Sequence, residues 1–206
     1  MAARWHIRAN ANPILGSAVP RGRNRCRRAA AWILGLFLIA PCYGVDEAPL
    51  EYQVKSAFLL NFTKFVEWPA TAFADARAPL TICILGEDPF GASLDQMVQG
   101  EVVGGRRVEV QRIRGVPEPK SCQVLYIRAL EKGARQILTS AGQGVLTVGE
   151  GEMFLRQGGM IAFVVENRRV RFDVDQGAAS DAMLSLSSRL LSVARSVKGK
   201  TQEVRP

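Results

Sequence analysis

The side chains that most often carry catalysis are sparse in this sequence. Its one histidine, His6, falls within the first 44 residues. A chain without that segment can build neither a Ser-His-Asp nor a Cys-His site, and it offers no imidazole to zinc. Asp173 and Asp175 alternate along a predicted strand and form the one arrangement that resembles a catalytic carboxylate pair. Nothing around them supports a reaction, so the sequence predicts no enzyme, no metal and no cofactor.

The formal net charge of +8 is concentrated at the amino end of the chain. Residues 1–44 hold seven arginines and neither lysine nor acidic residues, so 20 of the 27 basic side chains lie beyond them, against 19 acidic ones. The net charge of residues 45–206 is therefore +1. Because a nucleic-acid-binding surface needs clustered basic side chains, we expect no nucleic-acid partner.

The amino-terminal segment has the pattern of a secretory signal peptide. A cationic stretch at residues 21–28 precedes an apolar run at residues 29–40, which is shorter than the roughly 20 residues that span a bilayer. Small residues, Cys42 and Gly44, favour cleavage after Gly44. Lipidation of Cys42 and an uncleaved anchor are the alternatives. We expect residues 1–44 to be a signal peptide, with residues 45–206 forming a single exported domain that has no stable membrane insertion.

Short apolar strands alternate with amphipathic helices in residues 45–206. The first helix is predicted over residues 52–66, where apolar residues recur at spacings of three and four. Strands are predicted at residues 80–85, 107–113, 123–127, 145–148, 160–165 and 170–174, and later helices after Asp88, over 130–141 and over 180–197. This order indicates an α/β fold, a three-layer α/β/α sandwich with a mainly parallel sheet of about five to six strands. The last two strands would form an antiparallel hairpin at one edge, and residues 180–197 a long C-terminal helix.

The turn at residues 86–91 is a candidate ligand site, because it follows a buried strand and opens a helix. Asp88 is the predicted N-cap and Pro89 the first helical residue. Ligands of open α/β sheets bind at such strand ends, and free backbone N–H groups there favour anions. Asp88 and Phe90 are therefore candidate ligand-binding residues, and a periplasmic small-molecule binding protein that signals to a membrane sensor is the alternative function. A capped turn without a ligand explains the same residues.

Two further groups of residues are candidates for binding a partner. Asn61, Lys64 and Trp68 lie along or just past the first helix, where Trp68 is either an interface residue or part of the core. Arg169 and Arg171, with the neighbouring Arg168, form the densest positive cluster of residues 45–206. This cluster would meet an acidic patch on a partner, or it would only solubilise a sheet edge.

Several motifs in this order resemble the YfiR family. The resemblance extends from about residue 50 to residue 197. It is carried by the segments Tyr52–Pro69, Ile82–Gly91, Ser121–Ile127, Gly158–Phe163, Val170–Val174 and Leu186–Leu191. Two departures are Leu60, where relatives often have Tyr, and Gln123, where His is usual after Cys122.

The resemblance implies a soluble periplasmic regulator without enzymatic activity. It implies that the protein binds the periplasmic sensor domain of an inner-membrane, YfiN-like diguanylate cyclase and represses cyclic di-GMP synthesis, and with it biofilm formation. Some relatives act on other membrane sensors, so the class of partner is implied more firmly than its identity. Association of family members also makes a homodimer an expectation.

The resemblance further implies a disulfide between Cys83 and Cys122, the two cysteines left after cleavage at Gly44. Both lie in or beside predicted buried strands that we place next to each other, and an even cysteine count suits an oxidising compartment. Two buried free thiols are the alternative. The second cysteine pair that relatives often carry near the Gly-Gly-Met motif does not occur in this sequence.

Overall fold

The computed structural model describes residues 49–128 and 134–199. The helices are α1 (Leu50–Phe65), α2 (Ala92–Val98), α3 (Ala134–Ser140), α4 (Glu152–Arg156), α5 (Gln176–Asp181) and α6 (Ser188–Val193). The strands are β1 (Val66–Glu67), β2 (Leu80–Leu85), β3 (Val102–Val103), β4 (Arg106–Ile113), β5 (Val124–Ile127), β6 (Leu146–Glu150), β7 (Ile161–Glu166), β8 (Arg169–Asp175), β9 (Ser185–Leu186) and β10 (Ser196–Lys198). The predicted signal peptide and the start of the predicted helix at 130–141 lie outside the described residues.

The main sheet has eight strands in the order β10-β8-β7-β6-β5-β2-β4-β3. Pairing is parallel from β4 through β2, β5 and β6 to β7, and again between β8 and β10, whereas β7–β8 and β3–β4 are antiparallel. The sheet is therefore mixed and mostly parallel, and the α/β class and the β7–β8 hairpin are confirmed. The hairpin is not at the edge as predicted, because β10 pairs with the outer side of β8. The prediction of five to six strands misses β3 and β10, which are too short to show a periodic pattern.

Apolar side chains cover both faces of this sheet, because successive residues of a strand point to opposite sides. Ile82 and Val124 belong to the larger core with α1 and α2, whereas Cys83 and Leu125 belong to a second core. Ile137 of α3 packs against that second core. In the larger core, Phe58 and Phe62 of α1 meet Phe163 and Phe172 of the hairpin, with ring centroids 5.1–6.0 Å apart.

The predicted long C-terminal helix over residues 180–197 is wrong. The chain forms α5, β9, α6 and β10 in this region. Met183 has φ +60°, a left-handed conformation that interrupts a helix. The Ser187 hydroxyl then caps α6 by accepting from Leu190 N–H. After α6 the chain extends and does not continue as a helix, and β10 pairs in parallel with β8 along its outer side.

Within the described residues, no helix is both long enough and apolar enough to cross a bilayer.

Candidate interaction site

A buried lysine lies at the carboxyl ends of the central strands. Lys55 of α1 is only 2% exposed, and its ammonium group contacts Glu51 at 2.5 Å and Glu150, the last residue of β6, at 2.8 Å. The same nitrogen lies 4.4 Å from the centroid of the Tyr52 ring. The Tyr126 hydroxyl of β5 donates a hydrogen bond to Glu150. We call Glu51, Lys55, Tyr126 and Glu150 the strand-end cluster.

The electrostatics of this cluster favour a charged lysine and a neutral tyrosine. Burial lowers the pKa of Lys55, but hydrogen bonds to Glu150 and Glu51 outweigh burial, so the pKa lies above its ordinary value of 10.5. Burial, followed by the hydrogen bond to Glu150, raises the pKa of Tyr126 well above 10.0. The cluster therefore joins α1 to two central strands, and its polar groups bind one another.

An apolar groove of about 550 Å³ lies beside this cluster, between α1 and the β7–β8 hairpin. Five apolar residues line it, with two arginines and Glu51 at its rim. The lining residues are Leu50, Glu51, Val54, Phe58, Val165, Arg168, Arg169 and Val170. Several of these apolar side chains are open to solvent, with Leu50 75% and Val165 55% exposed. We call this feature the helix–hairpin groove.

The predicted residues of the first helix lie away from this groove. Asn61 is exposed, and Lys64 forms an ion pair with Glu101 at 2.8 Å. Trp68 is half-buried, and its indole N–H donates to the Gln123 carbonyl at 3.2 Å. Trp68 also lines a second, smaller groove of about 380 Å³. The predicted candidates thus lie toward or past the carboxyl end of α1, whereas the open apolar surface is at its amino end.

In the turn at residues 86–91, a carboxylate of the turn itself accepts hydrogen bonds from the backbone N–H groups. The Asp88 carboxylate accepts from Phe90 N–H at 2.7 Å and from Gly91 N–H at 3.2 Å. Arg112 binds the other oxygen of Asp88 at 2.9 Å. Asp88 does not cap the helix, because α2 begins later, at Ala92. Phe90 is buried against Tyr126 and is not at the surface. Because Asp88 already binds the backbone N–H groups of Phe90 and Gly91, these groups do not offer an anion site.

Asp173 and Asp175 are occupied as well. Asp173 binds Arg195 at 2.5 Å, and Asp175 binds Lys198 at 3.0 Å while it caps α5 through Ala178 N–H. The two carboxylates hold β10 against β8. They do not face an open cleft as a reacting pair.

Cys83 and Cys122 form a disulfide, with their Cα atoms 5.8 Å apart. Cys83 lies in the middle of β2, and Cys122 precedes the neighbouring β5. The next residue, Gln123, is buried. Its side chain accepts from Thr81 N–H and donates to the Ala72 and Lys120 carbonyls. A neutral amide thus bridges three backbone segments at position 123.

The strand-end cluster and the groove were not predicted from the sequence. Lys55 interrupts an apolar helix face, and Glu150 follows a buried strand. The sequence could therefore have indicated both residues as charged positions next to the core. Val54 and Leu50 extend the apolar stripe of α1 by one and two helical turns, respectively, from Phe58 toward the amino end. The stripe predicts burial, but the hairpin leaves this end of it uncovered.

The fold and these contacts define the class: an α/β domain with a buried, paired lysine at its strand ends and an open apolar groove between α1 and the β7–β8 hairpin. Within the described residues, no cluster of three or more histidine, cysteine, aspartate or glutamate side chains could hold a metal ion. The sequence profile described as YfiR/HmsC-like matches residues 52–195, and the chain belongs to this family, whose members regulate diguanylate cyclases and are generally not enzymes.

Other comparisons add little to this family membership. A search of curated proteins found no significant match. A crystal structure of a conserved domain protein from Vibrio cholerae superposes with a TM-score of 0.48 at 10% sequence identity. The match covers 73% of this chain and 60% of that one, and a likeness at this level carries no argument about fold or function.

Proposed function

We propose that this protein is a periplasmic regulator that binds the periplasmic domain of an inner-membrane, YfiN-type diguanylate cyclase and represses cyclic di-GMP synthesis. The observation that carries the proposal is the YfiR/HmsC-like match over residues 52–195, which includes nearly all of the described domain. The Cys83–Cys122 disulfide supports an oxidising compartment. The open helix–hairpin groove supports a protein that works by binding.

Repression of this kind needs only a difference in affinity between two states of the cyclase. A regulator that binds the inactive conformation more tightly shifts the population toward it, and it needs no contact with the cytoplasmic active site. A hundredfold preference for the inactive state corresponds to about 2.7 kcal/mol of coupling. Such a preference lies within the range that an ordinary protein interface supplies.

The experiment is a gene deletion with measurement of cyclic di-GMP. Deletion is expected to raise cyclic di-GMP and surface adhesion when the partner cyclase is present, and to change neither in a strain that lacks the cyclase. Restoring the gene on a plasmid is expected to reverse the increase. An unchanged cyclic di-GMP level in the deletion strain, with the cyclase demonstrably expressed, contradicts the proposal.

Export is tested separately. We propose that residues 1–44 are removed, so that the protein recovered from the periplasmic fraction begins at Val45. N-terminal sequencing of that fraction checks this. Recovery of residues 29–40 in an intact, membrane-embedded product would show that the segment is an anchor.

A further inference from the structure

The apolar stripe of α1 runs past the part of the domain that covers it. Leu50, Val54 and Phe58 follow one another at intervals of four residues and therefore lie on one helix face. Phe58 packs into the core against Phe172, whereas Val54 and Leu50 are progressively more exposed. A stripe that continues without cover leaves apolar side chains where a partner would bury them.

The hairpin supplies the other wall of the groove. Val165 and Val170 lie directly opposite each other in the β7–β8 register, and both line the groove. The connecting residues Asn167 and Arg168 have φ values of +50° and +59°, a turn in which glycine is the favoured second residue. Arg168 thus occupies a backbone conformation that disfavours arginine, and such strain is typical of functional positions.

The charge at the rim indicates the chemistry of the occupant. Across residues 49–128 and 134–199, no carboxylate pairs with the guanidinium groups of Arg168, Arg169 or Arg171. By contrast, the nearby Arg195 and Lys198 both pair with carboxylates. Arg168 and Arg169 line the groove itself. Unpaired arginines beside exposed aliphatic side chains match a surface that presents apolar residues next to carboxylates.

We infer that the helix–hairpin groove binds a segment of the cyclase's periplasmic domain that carries apolar side chains flanked by aspartate or glutamate. This inference rests on the proposed function and specifies the surface through which it acts. In the complex, the partner buries Leu50 and Val165, and these aliphatic contacts hold the complex together. The arginines at the rim accelerate its formation and select an acidic partner.

The apolar contact is tested with Val165→Glu. The exported chain and the full-length cyclase in phosphatidylcholine nanodiscs are used, and their dissociation constant is measured. We expect at least about a tenfold weaker complex, mainly through faster dissociation. Val102→Glu is the matched control, because Val102 is a strand valine with 57% exposure on β3, the edge strand farther from the hairpin. Both positions are exposed, so unfolding midpoints in urea should match the wild type.

The charged contact is tested by reversing the sign of the rim. Arg168→Glu combined with Arg169→Glu is expected to slow association about tenfold at low salt and to flatten its salt dependence. Arg107→Glu combined with Arg114→Glu, on and just past β4, is the control for the same change in net charge. Its association rate should stay within about twofold of the wild type if the effect belongs to the groove.

The outcomes separate this inference from the function on which it rests. A wild-type chain that does not bind the cyclase overturns the proposed function and the inference together. If the wild type binds and both groove variants bind the cyclase as tightly and as fast as the wild type does, only the inference is overturned. It is also overturned if Val165→Glu leaves cyclase binding unchanged while it abolishes binding to phosphatidylglycerol vesicles or converts a dimer to a monomer in sedimentation, because the occupant is then a membrane or a second copy.

Discussion

Replacing Lys55 with methionine is the sharpest test of the strand-end cluster. Lys55→Met keeps the unbranched apolar stem against Tyr52 and removes the charge that binds Glu51 and Glu150. The remaining Glu150 keeps its hydrogen bond from Tyr126. Loss of stability in this variant therefore reports the pairing of the ammonium group, and not a cavity.

The magnitude follows from the exposure of the three partners. Removing one member of a fully buried ion pair costs about 3–5 kcal/mol, whereas an exposed pair contributes about 0.2–1 kcal/mol. Lys55 is 2% exposed, but Glu51 and Glu150 are 42% and 27% exposed and can be hydrated after the change. We therefore expect the free energy of unfolding to fall by about 2 kcal/mol, between these limits.

The assay is urea unfolding followed by tryptophan fluorescence. Trp68 is the one tryptophan beyond residue 44, and it is half-buried, so its emission reports the fold of the domain. Lys64→Met is the matched control on the same helix, because the Lys64–Glu101 pair is exposed on both sides and should contribute less than about 1 kcal/mol. The slope of the free energy against urea should not change.

A double-mutant cycle with Glu150→Gln isolates the pair. If the reasoning holds, the Lys55–Glu150 coupling energy is at least about 1 kcal/mol. If Lys55→Met is as stable as the wild type, or more stable, then the cost of burying the ammonium group exceeds the gain from its partners. That result would refute the assignment of the cluster as a stabilising link between α1 and the strand ends.

Three further predictions concern other parts of the domain. Serine replacing Cys83 and Cys122 should lower stability by about 4 kcal/mol, from a sequence separation of 39, and leave the circular dichroism spectrum unchanged. Tyr126 should not ionise in the folded protein, because its pKa is raised. Its contribution to stability is complete below pH 10.0 and is lost as the pH rises above that value. The phenolate absorbance of Tyr126 should therefore appear only with alkaline unfolding. Gly159→Ala should destabilise by about 1–3 kcal/mol, because the added methyl group would overlap the Phe154 ring, whereas Gly115→Ala meets no atom within 4 Å and should be neutral.

Each of these has an outcome that contradicts it. Two free thiols in material isolated under alkylating conditions would show that Cys83 and Cys122 are not bonded. A phenolate transition of Tyr126 near pH 10 with the fold intact, identified by comparison with Tyr126→Phe, would show that its hydroxyl is not held by Glu150. Equal unfolding midpoints for Gly159→Ala and Gly115→Ala would show that the Phe154 ring has room to move.

The sequence by itself determined the features that depend on local pattern. The spacing of apolar residues located α1 to within two residues at each end, and continuous apolar runs located β2, β5 and β6. The order of helices and strands then restricted the fold to a mainly parallel sheet, because such strands need crossover connections. The hairpin at residues 160–174 and the family motifs were also readable along the chain.

Tertiary structure decided what depends on residues far apart in sequence. Lys55 and Glu150 are separated by 95 residues, so no local pattern could pair them. The C-terminal region has a helical spacing of leucines, yet Arg195 and Lys198 bind the carboxylates of β8 and draw the chain into β10. Likewise, the apolar residues of α1 keep the same four-residue spacing from Leu50 through Val54 to Phe58. The position of the hairpin decides which end of this stripe is core and which end lines the open groove.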